Sequence, residues 1–173
     1  MVADYRNPLR LNVGFIIHET IGYFRDFEFE LPELNLQDEL QLTDVGGTVR
    51  VTRTAQGLLV QVKMHGVTAG ECSRCLTGIQ QPLQVDFTEL YAFNPDQQTE
   101  SGLMVPETGK IDLAPLIRDE FLLAIPLNSL CKPDCKGLCP VCGENLNEKD
   151  CGHSQLPIDP RLEDLKKLLD KKS

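Results

Sequence analysis

Tryptophan is absent from this chain, and aromatic residues of all kinds make up only 6% of it. A surface that grips nucleic acid by stacking bases on exposed rings has little to be built from. No run of about 18 apolar residues occurs, so no membrane-spanning helix is expected. The first twenty residues, MVADYRNPLRLNVGFIIHET, hold neither an apolar signal core nor a small-residue cleavage site. The cytoplasm is the expected location. Basic residues are scarce, 17 against 26 acidic, for a formal net charge of −9. A protein with that balance does not attract nucleic acid through its overall field. Catalytic signatures are missing as well: there is no Gly-rich phosphate loop and no G-x-S-x-G. Asp119 and Glu120 are adjacent, so on a helix they do not share a face as a paired acid and base. Neither an enzymatic activity nor a small-molecule substrate is expected.

What is present reads as an α+β fold. Its antiparallel β-rich core carries one packed helix, and a cysteine-rich appendage with a short final helix follows. In FRDFEFELPEL, Phe27, Phe29 and Leu31 share one face at period two, with Pro32 expected to end the strand. Residues 45–93 predict three to five antiparallel strands. TVRVTRTA and PLQVDFTELYAF alternate, and Gln56-Gly57 forms a turn in which Gly57 is expected at positive φ. Residues 94–110 are polar and scattered with Pro, Gly and Ser, which predicts a mobile loop. A helix is predicted over about 112–125, capped by Asp112. Its apolar face is Leu113, Ile117, Phe121 and Ala124, widened by Leu116 and Leu123. The last helix begins at Asp159-Pro160, with a stripe of Leu162, Leu165, Leu168 and Leu169. The expected division is 1–127 for the core domain and 128–173 for the metal-binding segment.

The seven cysteines are concentrated in two places. Cys72 and Cys75 form a C-x2-C turn after a strand. CKPDCKGLCPVCGENLNEKDCGH holds Cys131, Cys135, Cys139, Cys142, Cys151 and His153. In a reducing compartment such clusters act as metal ligands more often than as disulfides, and an odd count leaves no complete disulfide set. Eight ligands suffice for two four-coordinate Zn²⁺ sites. The favoured pairing joins Cys72 and Cys75 to Cys131 and Cys135, tying the sheet to the end of the helix. Cys139, Cys142, Cys151 and His153 then form a local second site. The rival pairing puts Cys131, Cys135, Cys139 and Cys142 on one metal. Closed sites of this kind have no open position and favour a structural role. His18 and His65 have no ligand spacing and read as surface or packing residues.

One local reversal of charge stands out. No acidic residue lies between Val45 and Gly70, whereas Arg50, Arg53 and Lys63 do, and Arg74 sits inside the first cysteine turn. These four are candidates for contact with RNA phosphates; a solvated strand face is the alternative.

CSRCL after a β-rich segment, IDLAPLIRDEFLLAIPL, CKGLCPVCGENLN and the closing DPRLEDLKKLL together resemble the YceD-like family. The likeness runs over roughly residues 20–173. It implies a non-enzymatic role in ribosome biogenesis, in the accumulation of large-subunit ribosomal RNA. The implied partner is that RNA or a basic ribosomal protein. The family's motif cysteines match Cys72, Cys75, Cys135, Cys139 and Cys142, with Cys131 and Cys151 fitting the fuller set of some members. His153 stands where a cysteine would be equally natural. A metal- or redox-responsive regulator with exposed thiols is the alternative function.

Overall fold

The computed structural model describes residues 8–36 and 40–153, so the expected C-terminal helix lies outside the described residues. The chain divides into two compact units. The first takes the residues up to Gly70 together with Gly78–Ser129; the second takes Glu71–Thr77 together with the chain from Leu130 onward. The second unit is therefore not the contiguous segment 128–173. It also recruits a seven-residue excursion that interrupts the core.

In the first unit, β1 (Arg10–Asn12) is followed by a single helical turn, α1 (Gly14–Ile17). Four long strands come next: β2 (Phe24–Leu36), β3 (Leu40–Arg53), β4 (Gly57–Glu71) and β5 (Gly78–Ala92). A three-residue 3-10 turn, β6 (Lys110–Asp112) and α2 (Ala114–Ala124) complete it. The long strands form one sheet in sequence order, and β1 pairs antiparallel with β6. Val49 and Val51 of β3, Val60 and Val62 of β4, and Leu83 and Val85 of β5 supply the buried face. Ile117 and Phe121 of α2 join the same core. Burying each such side chain contributes about 1.5–3 kcal/mol.

Pro32 does not end its strand. It lies within β2, which is an edge strand and so tolerates a residue without an N–H. The pairing of β3 with β4 is irregular near this point. Thr43 pairs with Val67 and Gly46 with His65, so β3 carries one more residue than β4, and Asp44 takes a left-handed φ of 50°. The extra residue switches which parity is buried in β3, from Val45, Val49 and Val51 to Leu40 and Leu42. β2 follows, from Phe29 to Leu34 and Leu36.

Four further expectations change. Gly57 has no positive φ; a Cβ there would lie 2.1 Å from the Tyr91 carbonyl oxygen, so close approach of β5 demands the glycine. Residues 94–110 are tied down. Ala92 and Leu103 and then Val105 and Ala92 exchange backbone hydrogen bonds of 3.0 and 2.9 Å, and Leu103 and Val105 pack on the core. In α2, Leu113 occupies the N-cap while Asp112 accepts a 3.0 Å bond from the Ala114 N–H. Leu123 does not widen the buried face and is 80% exposed. Among the described residues no helix is long and apolar enough to cross a membrane.

Candidate metal centres

Two local turns build the second unit, and they repeat each other. In the first, the Leu76 N–H bonds to the Cys72 carbonyl and the Cys72 N–H to the Thr77 carbonyl, both at 2.9 Å. In the second, the Gly143 N–H bonds to the Cys139 carbonyl and the Cys139 N–H to the Glu144 carbonyl, both at 2.8 Å. Each turn closes through a left-handed residue, Leu76 at φ 57° and Gly143 at φ 75°. Glycine fits that conformation without strain; leucine does not. Such a turn aims two sulfurs at one point while presenting backbone N–H groups to them.

The remaining ligands converge on these turns. Cys72, Cys75, Cys131 and Cys135 place their sulfurs within 4.8 Å of one another, and so do the ligand atoms of Cys139, Cys142, Cys151 and His153. These are the two sets of the favoured pairing; the rival pairing does not match them. Cys72 and Cys135 Sγ are 3.8 Å apart, Cys75 and Cys131 Sγ 3.5 Å. A zinc ion bound tetrahedrally at about 2.3 Å sets sulfurs roughly 3.8 Å apart, so the first set fits such an ion.

Charge favours a cation at both places. Backbone amides, that of Cys131 foremost and then that of Cys75, bring the Cys72 thiol down to about 6. The Thr77 side chain and then its amide lower Cys75. The amides of Cys142 and Val141 bring Cys139 down to about 6. Burial, followed by the neighbouring thiols of Cys75 and Cys135, pushes Cys131 up to about 12. The His153 amide pulls Cys151 down, but Cys139 and burial outweigh it and leave that thiol raised. Cys72 and Cys75 thus ionise before Cys131, and Cys139 before Cys151. Complete deprotonation of either set needs a compensating positive charge.

Two other residues hold the first set in place: Asn147, which the sequence reading misses, and Arg74, which it offers as an RNA contact. Asn147 Nδ2 donates to Cys135 Sγ at 3.3 Å, and its Oδ1 accepts the Lys136 N–H at 2.9 Å. Arg74 donates to the Cys135 carbonyl at 2.9 Å, while its own carbonyl accepts the Leu138 N–H at 3.0 Å. Two asparagines within NLN, inside a cysteine loop, were the available signal. Among the described residues the buried side chains of this unit are Cys72, Cys75, Cys135 and Cys139 alone. The thiols stand where an apolar core would be.

In the folded protein two of the four cations of the positive island are paired with acids, and the other two bond to backbone carbonyls. Arg50 makes a two-pronged ion pair with Asp26, at 2.7 and 2.9 Å, and lies over the Phe24 ring. That bond holds the Asp26 carboxyl below its usual range. Arg53 donates to the Ile17 and Thr54 carbonyls and stacks on Phe93. Lys63 pairs with Asp86 at 3.2 Å. Arg74 is engaged at Cys135. The acids that neutralise Arg50 and Lys63 come from neighbouring strands, far away in sequence.

Comparison with known proteins agrees with the architecture of motifs. The profile described as Large ribosomal RNA subunit accumulation protein YceD matches residues 60–169. An uncharacterised protein of Mycobacterium tuberculosis is 36% identical over 160 residues, 90% of this chain and 74% of its own length. YlbN of Bacillus subtilis, also uncharacterised, is 32% identical over 157 residues, 84% of this chain and 89% of its own. A chloroplast protein of Arabidopsis thaliana, named large ribosomal RNA subunit accumulation protein YCED homolog 1, is 42% identical over 52 residues. That is 29% of this chain and 16% of the plant protein. No solved structure matches. With the profile covering well over half of the sequence, the chain belongs to the YceD family.

Proposed function

We propose that this protein is a non-enzymatic factor of ribosome biogenesis in the cytoplasm, that it supports accumulation of large-subunit ribosomal RNA, and that its two clusters hold structural zinc. The RNA role is supported by family membership and by the names of the plant relatives. The zinc role rests on one observation: two complete sets of four nitrogen and sulfur ligands converge in a unit whose buried side chains, among the described residues, are four of those same cysteines. Zinc takes such sets in closed tetrahedral sites, which leave no position for substrate or water. The ion would therefore supply folding energy and not chemistry.

Protein purified without chelator is expected to contain two zinc ions per chain. A content near zero, with seven freely titrating thiols, overturns the zinc assignment. Deleting the gene is expected to lower large-subunit rRNA relative to small-subunit rRNA, with recovery on re-expression; an unchanged ratio overturns the RNA role. A second reading, a metal-responsive regulator, is favoured only by the exposure of Cys142 and His153 in the second set. Exchange of that ion within the range of free cellular zinc would support it.

A further inference from the structure

We infer that the outer edge of β2, from Phe24 to Leu31, is a docking site for a basic, extended polypeptide segment that pairs with it as an additional strand. The inference rests on the assembly reading above and names the kind of partner it would engage. β2 has β3 on one side and, among the described residues, no strand on the other. Its backbone groups on that side form a template for strand addition. The charges beside it are unevenly compensated. Asp26, Glu28 and Glu30 recur at period two and stand opposite Arg50, Thr48 and Gly46 of β3. Only the first of these partners is a cation, and it is already bound to Asp26. One strand further in, Lys63 stands opposite Thr48 but pairs with Asp86. Glu28 and Glu30 therefore have no Lys or Arg partner within the sheet among the described residues, while His65, opposite Gly46, contributes an imidazole.

Those two carboxylates lie along one wall of an open cleft of about 650 Å³ that runs from Glu28 to Pro32 and across to His65. They follow the strand and do not converge on a point: neither joins any set of ligand atoms close enough to hold a metal ion. Two strand residues span about 6.6–6.8 Å, which is the repeat of side chains on one face of a partner strand. Lys or Arg at alternate positions of that partner would meet Glu28 and Glu30 in turn. A second copy of β2 would bring carboxylates against carboxylates, which is unfavourable. The same charges that discourage self-pairing thus select a strand of opposite sign. Nucleic acid carries the wrong sign for this edge, and Pro32 limits the pairing to the eight residues before it.

The test uses the intact, metal-loaded protein and an eight-residue peptide with Lys at alternate positions and Thr or Val between. Its isomer with all four Lys contiguous is the control. The alternating peptide is expected to bind more tightly and to slow hydrogen exchange at amides within residues 24–31. Glu28→Lys with Glu30→Lys is expected to weaken it by at least about tenfold, since like charges are brought together. Glu28→Gln with Glu30→Gln, which preserves the fold more conservatively, is expected to fall between. Equal binding of the two isomers, protection elsewhere, or protection of the same amides by a short uridine oligonucleotide each overturns the proposal. A parent protein that restores rRNA accumulation in deleted cells but binds neither peptide overturns this inference and leaves the assembly reading standing. A parent protein that binds the alternating peptide at β2 and does not restore accumulation overturns the assembly reading alone.

Discussion

Leu76 holds a left-handed backbone at φ 57° with its side chain 60% exposed. Gly143 does the same task in the twin turn without a Cβ. Leu76→Gly is therefore expected to raise thermal stability in the presence of zinc, by up to about 1 kcal/mol. A loss of stability would mean that the leucine side chain has a packing role that outweighs its backbone strain. Tyr91 makes a pH prediction. Burial, reinforced by the carboxylates of Glu89 and Asp112, raises its phenol from 10.0 to about 12. Between those values the unfolded chain has lost the proton that the folded chain keeps, so stability falls as pH rises through that window. Tyr91→Phe is expected to flatten that part of the stability curve relative to the parent. Identical slopes in the two proteins would show that the phenol does not contribute.

The twin cysteine turns were legible because C-x2-C spacing and the ligand count are local properties of the sequence. Strand periodicity was legible for the same reason: Val49, Val51, Val60 and Val62 alternate and are buried. What escaped depends on neighbours across the sheet. Asp26 and Asp86 cancel Arg50 and Lys63, and no local window contains both partners. The β3 bulge escaped because it is defined by a mismatch between strands. Residues 94–110 looked loose because two anchors, Leu103 and Val105, were diluted by polar neighbours. The two ligand sets also differ as elements. The first closes the chain between Cys75 and Cys131; the second spans only residues 139–153. Loop-closure entropy grows by only about 0.6 kcal/mol per doubling of length. Yet the first set also holds the excursion Glu71–Thr77 in the second unit. Cys72→Ser is accordingly expected to lower the thermal midpoint more than Cys151→Ser. Equal losses, or a larger one for Cys151→Ser, would reject that ranking.

On the scale of the molecule, the two units draw on different sources of stability. The first buries aliphatic side chains from four strands and a helix. The second buries thiols. Excess chelator is expected to unfold the second unit while the first keeps its strand circular-dichroism signal and its slow-exchanging amides in β3 and β4. Loss of both together would show one cooperative unit.

The discontinuity of the second unit also has a meaning in time. Cys75 is synthesised sixty residues before Cys135. At ordinary rates of translation that interval is about 3–12 s. Throughout most of it, the first turn can present its two thiols without the sulfurs that complete their set. A newly made chain therefore passes through a half-built stage open to oxidation or to a foreign metal, and the last cysteine to emerge decides whether the first pair was kept intact.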